Sequence, residues 1–78
     1  MNFVMTLATF IKVKFGTQER LSKSLKLHAK TVNKWYNNDP KKLFMFATEI
    51  AKFSDTPTEQ VIKMIEDRCD DVRYLKSK

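Results

Sequence analysis

Apolar residues recur at helical spacing along the whole chain. Phe3, Leu7, Phe10 and Ile11 repeat every three or four positions and predict a first helix over residues 2–14. Gly16 suits the left-handed turn that ends it, and Thr17 is a good N-cap for a second helix over residues 18–25. That helix buries Leu21 and Leu25, with small Ser22 beside Leu21. A third short helix over residues 29–36 places Val32 and Trp35 on one face, and Asn37-Asn38 stops it. Trp35 is expected in the core against Leu21 and Leu25.

Both prolines read as helix starts. Asp39-Pro40 sets an N-cap before a proline at the first helical position, where its missing N–H costs nothing. The fourth helix, over residues 40–53, turns Leu43, Phe46 or Ala47, Ile50 and Ala51 inward. Thr56-Pro57-Thr58-Glu59 joins the same proline signal to a capping box. The fifth helix presents Val61, Ile62 and Ile65, and its periodicity runs on through Cys69, Val72 and Leu75. Phe3, Phe10, Phe15, Phe44, Phe46 and Phe53 are assigned to core or interface. A compact all-α domain of five helices is predicted, and a single glycine leaves little for tight hairpins.

Charge then separates the chain into unlike parts. The 78 residues carry a net charge of +6, but residues 17–42 alone carry seven bases against Glu19 and Asp39. Residues 43–78 hold six bases and seven acids. A polyanionic partner is expected to meet the middle segment. One cysteine excludes an internal disulfide and one histidine excludes a Cys/His zinc site, so a reducing, cytoplasmic setting is expected. The apolar start is interrupted by Lys12 and Lys14, so neither export nor membrane insertion is expected.

The third helix carries the candidate chemistry. Opposite Val32 and Trp35, a stripe of Lys30, Asn33, Lys34 and Asn37 at spacings of three and four offers amide groups and positive charge without a carboxylate. A helix fits the DNA major groove, where lysine donates to guanine and asparagine pairs with adenine. Ala29 is small enough to approach a thymine methyl. The bland alternative is an ordinary solvated face. Arg20, Lys23, Lys41 and Lys42 are better suited to phosphate than to bases.

The run Gln18-Glu19-Arg20-Leu21-Ser22-Lys23-Ser24-Leu25-Lys26-Leu27-His28-Ala29-Lys30-Thr31-Val32-Asn33-Lys34-Trp35 resembles, without a gap, the helix-turn-helix pattern of the phage-repressor/Cro-like (XRE) family. The likeness continues more loosely through Pro40, Leu43, Ile50-Ala51 and Val61. It implies a lambda-repressor-like domain binding double-stranded operator DNA, usually as a homodimer, in a small prokaryotic or phage transcriptional regulator such as a repressor. It divides the chain into a DNA-binding domain over residues 1–65 and a C-terminal helical extension or tail over 66–78. It also implies base reading by His28, Ala29, Lys30, Asn33 and Lys34. Phosphate contacts would come from Thr17, Gln18 and Lys23, and from Asn37, Asn38 and Lys41 after the reading helix. Three positions depart from the pattern. Lys26 stands where glycine is usual, at a positive-φ turn, at a cost of about 1 kcal/mol. His28 replaces a serine or threonine cap, and Tyr36 stands where glutamate is common.

Other chemistry has less to build on. No glycine-rich loop cradles a phosphate, and His28 and Cys69 lie on different elements, so neither an enzyme nor a cofactor is expected. Cys69 reads as a small hydrophobe. Glu66, Asp67, Asp70 and Asp71 suit a solvated face paired with Arg68 and Arg73, with a divalent cation as the less favoured reading. Val61, Ile65, Cys69, Val72 and Leu75 suggest a dimer interface, with Phe3 and Val4 as a competing edge. The alternative function is a protein-interaction module, or an antitoxin-type protein with a small protein partner.

Overall fold

The computed structural model describes residues 5–76, and its elements are all helical. In chain order they are α1 (Leu7–Lys14), α2 (Gln18–Ser24), α3 (Ala29–Asn38), a 3₁₀ segment (Pro40–Phe46), α4 (Ala47–Ser54) and α5 (Thr58–Lys76). The chain is a compact all-α domain. Its radius of gyration of 11.9 Å is near the roughly 11 Å of a globular chain this long, so the long α5 lies against the body. Phe10, Leu21, Val32, Leu43, Ile50, Val61 and Ile65 form the centre of the core, each nearly or wholly inaccessible. Burying such side chains at about 25 cal/mol per Å² is the main force holding the helices together.

Helix ends follow local chemistry, sometimes against the sequence expectation. α1 begins at Leu7 because Thr6 is extended and its hydroxyl accepts the Thr9 N–H at 3.2 Å. The predicted start at residue 2 is thus corrected for Met5 and Thr6, while residues 1–4, with Phe3 and Val4, lie outside the described residues. Gly16 takes φ +94°, and the Thr17 hydroxyl accepts the Arg20 N–H at 3.1 Å. α3 runs through Asn37 and Asn38 instead of stopping at them. Their side-chain amides donate to the carbonyls of Asn33 and Lys34 one turn back, at 2.9 and 3.2 Å. The helix ends where Pro40 forces Asp39 off helical geometry.

The expected fourth helix is two elements. Pro40, Leu43 and Phe46 are spaced by threes, which a 3₁₀ helix of three residues per turn sets in one row; the first two are buried and Phe46 half-buried. Phe46 then leaves helical geometry (φ −113°, ψ 8°), and α4 restarts with Ala47, Ile50, Ala51 and Ser54 inward. Asp39 makes no side-chain cap bond. α4 closes on Asp55 in the left-handed conformation (φ 52°), with the Thr56 N–H reaching the Ala51 carbonyl at 3.0 Å. The Thr56 hydroxyl donates to the Ser54 carbonyl, so the anticipated capping box is replaced by a start at the Pro57 carbonyl.

Two aromatic assignments change. Trp35 is half-buried at the edge of the core and stacks on Phe46, with centroids 5.9 Å apart and planes 27° off parallel, so the 3₁₀ row supplies its ring partner. Phe44 and Phe53 are exposed, which rules out the core and leaves the interface as their expected place.

Candidate nucleic-acid interface

α2 and α3 meet through the tight turn at residues 25–28, which two backbone bonds fix. The Leu27 N–H reaches the Ser22 carbonyl at 2.8 Å and the Lys26 N–H reaches the Lys23 carbonyl at 3.1 Å. This closure needs a left-handed residue, and Lys26 supplies it at φ 58°. Ser22 is buried at the joint, its hydroxyl donating to the Glu19 carbonyl at 2.6 Å. A small residue is required there for the two helices to approach.

From this frame α3 is anchored by buried Val32, and its opposite face is open. His28, Ala29, Lys30, Asn33, Lys34 and Asn37 are all exposed. His28 stands at the N-cap and makes no side-chain cap bond. Lys30 and Lys34 make no ion pair among the described residues. Gln18, Ala29, Lys30 and Asn33 line one open depression between the start of α2 and the start of α3. The face is therefore cationic, rich in amides and accessible to a broad surface.

A hydrogen-bond chain runs along it. The Asn37 amide donates to both the backbone carbonyl and the side-chain carbonyl of Asn33, at 2.9 and 3.2 Å. The Asn33 amide in turn donates to the Gln18 side-chain carbonyl at 3.2 Å. Sequence reasoning placed Gln18 and Asn33 in separate roles. Nothing in their spacing along the chain announces that they touch.

The remaining predicted residues are distributed differently. Thr17 is exposed but uses its hydroxyl as the α2 cap. Lys23 stands 4.0 Å from Glu19, and Lys41 4.0 Å from Asp39, both largely in solvent. Asn38 and Lys41 do not join the depression; they line a groove of about 400 Å³ with Pro40, Phe44, Cys69 and Arg73. Asn37 and Asn38 belong to α3 itself, not to a loop after it.

α5 also departs from expectation. Arg68 is not paired with neighbouring acids: its Nε donates to the Tyr36 carbonyl at 2.9 Å, and its guanidinium lies 4.0 Å above the Tyr36 ring. The unusual tyrosine at the end of α3 is thus clamped from α5. The acids divide, with Glu66 and Asp70 on the groove just described and Asp67 and Asp71 beside Tyr36 and Met64. No group of three metal-binding side chains occurs among the described residues. Asp67 instead accepts from Lys63 at 3.0 Å, which holds the lysine ammonium above its ordinary pKa. Burial, reinforced by Asp70, pushes the Cys69 thiol up, away from thiolate chemistry. Val61, Ile65 and Val72, read as surplus apolar surface for a dimer, are buried within the fold, while Leu75 stays exposed.

Among the described residues no helix is long and apolar enough to cross a membrane. No protein-family model matches the chain, and no curated protein or solved structure shows detectable similarity to it.

Proposed function

We propose that this chain binds double-stranded DNA, with α3 entering the major groove and α2 lying across the phosphate backbone. The observation that carries the reading is the open α3 face. Lys30, Asn33, Lys34 and Asn37 are exposed together, free of carboxylates, on a helix held from behind by Val32 and Trp35. Lys30, Asn33 and Lys34, with His28 and Ala29 at the helix start, would read base edges. Thr17, Gln18, Lys23 and Lys41 would meet phosphates. The gapless resemblance to phage-repressor/Cro-like proteins supports a role as a small transcriptional regulator in the cytoplasm of a prokaryote. Homodimer formation is supported by that resemblance alone, since Val61, Ile65 and Val72 of α5 are spent inside the domain.

Selection of bound duplexes from a random pool tests the reading. A defined site should emerge, and it should be two-fold symmetric if the protein acts as a dimer. Lys34→Ala or Asn33→Ala should relax preference at one base pair, by about 1–3 kcal/mol. Lys41→Ala should weaken all sequences about equally and lower the salt slope by roughly 0.9. Equal losses for all three variants on every sequence would contradict base reading. The alternative, a protein-interaction module, is favoured by exposed Phe44, Met45 and Phe53. A small partner that copurifies and leaves no site in the selected pool would establish it.

A further inference from the structure

The amide chain Asn37–Asn33–Gln18 has a direction, and that direction is set by the helix backbone. A backbone carbonyl only accepts, so the bond from the Asn37 amide to the Asn33 carbonyl fixes which end of the Asn37 side chain faces inward. The same Asn37 nitrogen faces the Asn33 side chain, which must turn its oxygen to meet it. The Asn33 nitrogen is thereby directed to Gln18, whose oxygen accepts it. The Gln18 nitrogen is left with both hydrogens unassigned among these bonds, and Asn33 keeps one hydrogen and one lone pair.

We infer that Asn37 is a positioning residue that fixes the amide sense of Asn33 and Gln18, so that the face reads adenine in one strand orientation and offers a donor to phosphate at its edge. This rests on the DNA-binding reading. Adenine presents an acceptor and a donor side by side in the major groove, which an amide meets with its nitrogen and oxygen in matching order. An amide free to turn over meets the opposite order as readily. Asn33 held from both sides does not turn, so an A·T pair and its inverse become distinguishable. Asn37 needs no base contact of its own to have this effect.

Two measurements on Asn37→Ala test the inference. In the free protein, the side-chain amide ¹H–¹⁵N signals of both Asn33 and Gln18 should shift, although only Asn33 touches residue 37. The backbone spectrum elsewhere should stay in place, because Asn37 is exposed. With selected duplexes, discrimination of A·T from T·A at one position should fall about tenfold, the scale of one bidentate pair. Affinity for unrelated duplex should fall by less than this discrimination does, because no charge is removed. An unmoved Gln18 signal would overturn the relay whatever the DNA result. A relay that responds with base preference intact would overturn the positioning role while leaving DNA binding in place. A pool that yields no site for the unaltered protein would remove the DNA reading, and the inference with it.

Discussion

The α2–α3 pair and the C-terminal elements solve the same structural problem differently. Both α2 and α4 end on a left-handed residue that is not glycine, Lys26 and Asp55 respectively. Aspartate visits that conformation readily and lysine does not. α1 and α2 are capped by threonine hydroxyls, whereas α3 starts on His28, whose side chain makes no cap bond. α5 buries apolar residues through Val72 and pairs Asp67 with Lys63, while α3 buries only Val32 and its lysines make no ion pair among the described residues. Local stability is surrendered around one helix and its turn. Such concessions are expected where a surface is kept for something other than folding.

The largest effect expected from breaking this contrast lies in the core. Ile65→Ala should cost about 2–5 kcal/mol, the range for a wholly buried aliphatic side chain, and lower the thermal midpoint seen by circular dichroism. Arg68→Leu should come next, at about 1–3 kcal/mol in urea denaturation, since it removes a charged hydrogen bond and a cation–π contact. Lys26→Gly acts in the opposite sense. It should stabilise the domain by about 1 kcal/mol by relieving the left-handed turn, with duplex affinity lowered by loss of a cation.

The smallest effect is expected at the exposed Lys63–Asp67 pair, where Asp67→Asn should leave the thermal midpoint unchanged at neutral pH. Because Asp67 raises the Lys63 pKa, any stabilisation it gives is present below the ordinary lysine value. It is lost only as pH climbs through the raised one. The pair is therefore formed in the neutral range, and its contribution there is small because both partners stand largely in solvent.

Much of this was legible in sequence wherever one residue type answers one local need. Gly16 and Thr17 mark the α1–α2 turn, and Lys26 marks the positive-φ position through its place in a family-like motif. The exposed α3 stripe follows from periodicity alone. What escaped depends on contacts between distant positions. The Gln18–Asn33 bond spans two helices, and the Arg68–Tyr36 clamp joins residues 32 apart. Composition had assigned Arg68 to its acidic neighbours, but a ring and a carbonyl offer it a better-defined seat. The 3₁₀ row was hidden because Leu43, Phe46, Ala47 and Ile50 fit an α-helical pattern almost as well. The backbone break at Phe46 shows where one period gives way to the other.

The account turns on α3 meeting DNA with its open face, and titration of the ¹⁵N-labelled protein with a selected duplex tests this most directly. The largest shifts should fall on Gln18, Lys30, Asn33 and Lys34, with the Glu66–Asp71 stretch of α5 unmoved. Shifts centred on α5 or on the groove beside Phe44, with the α3 face silent, would contradict it.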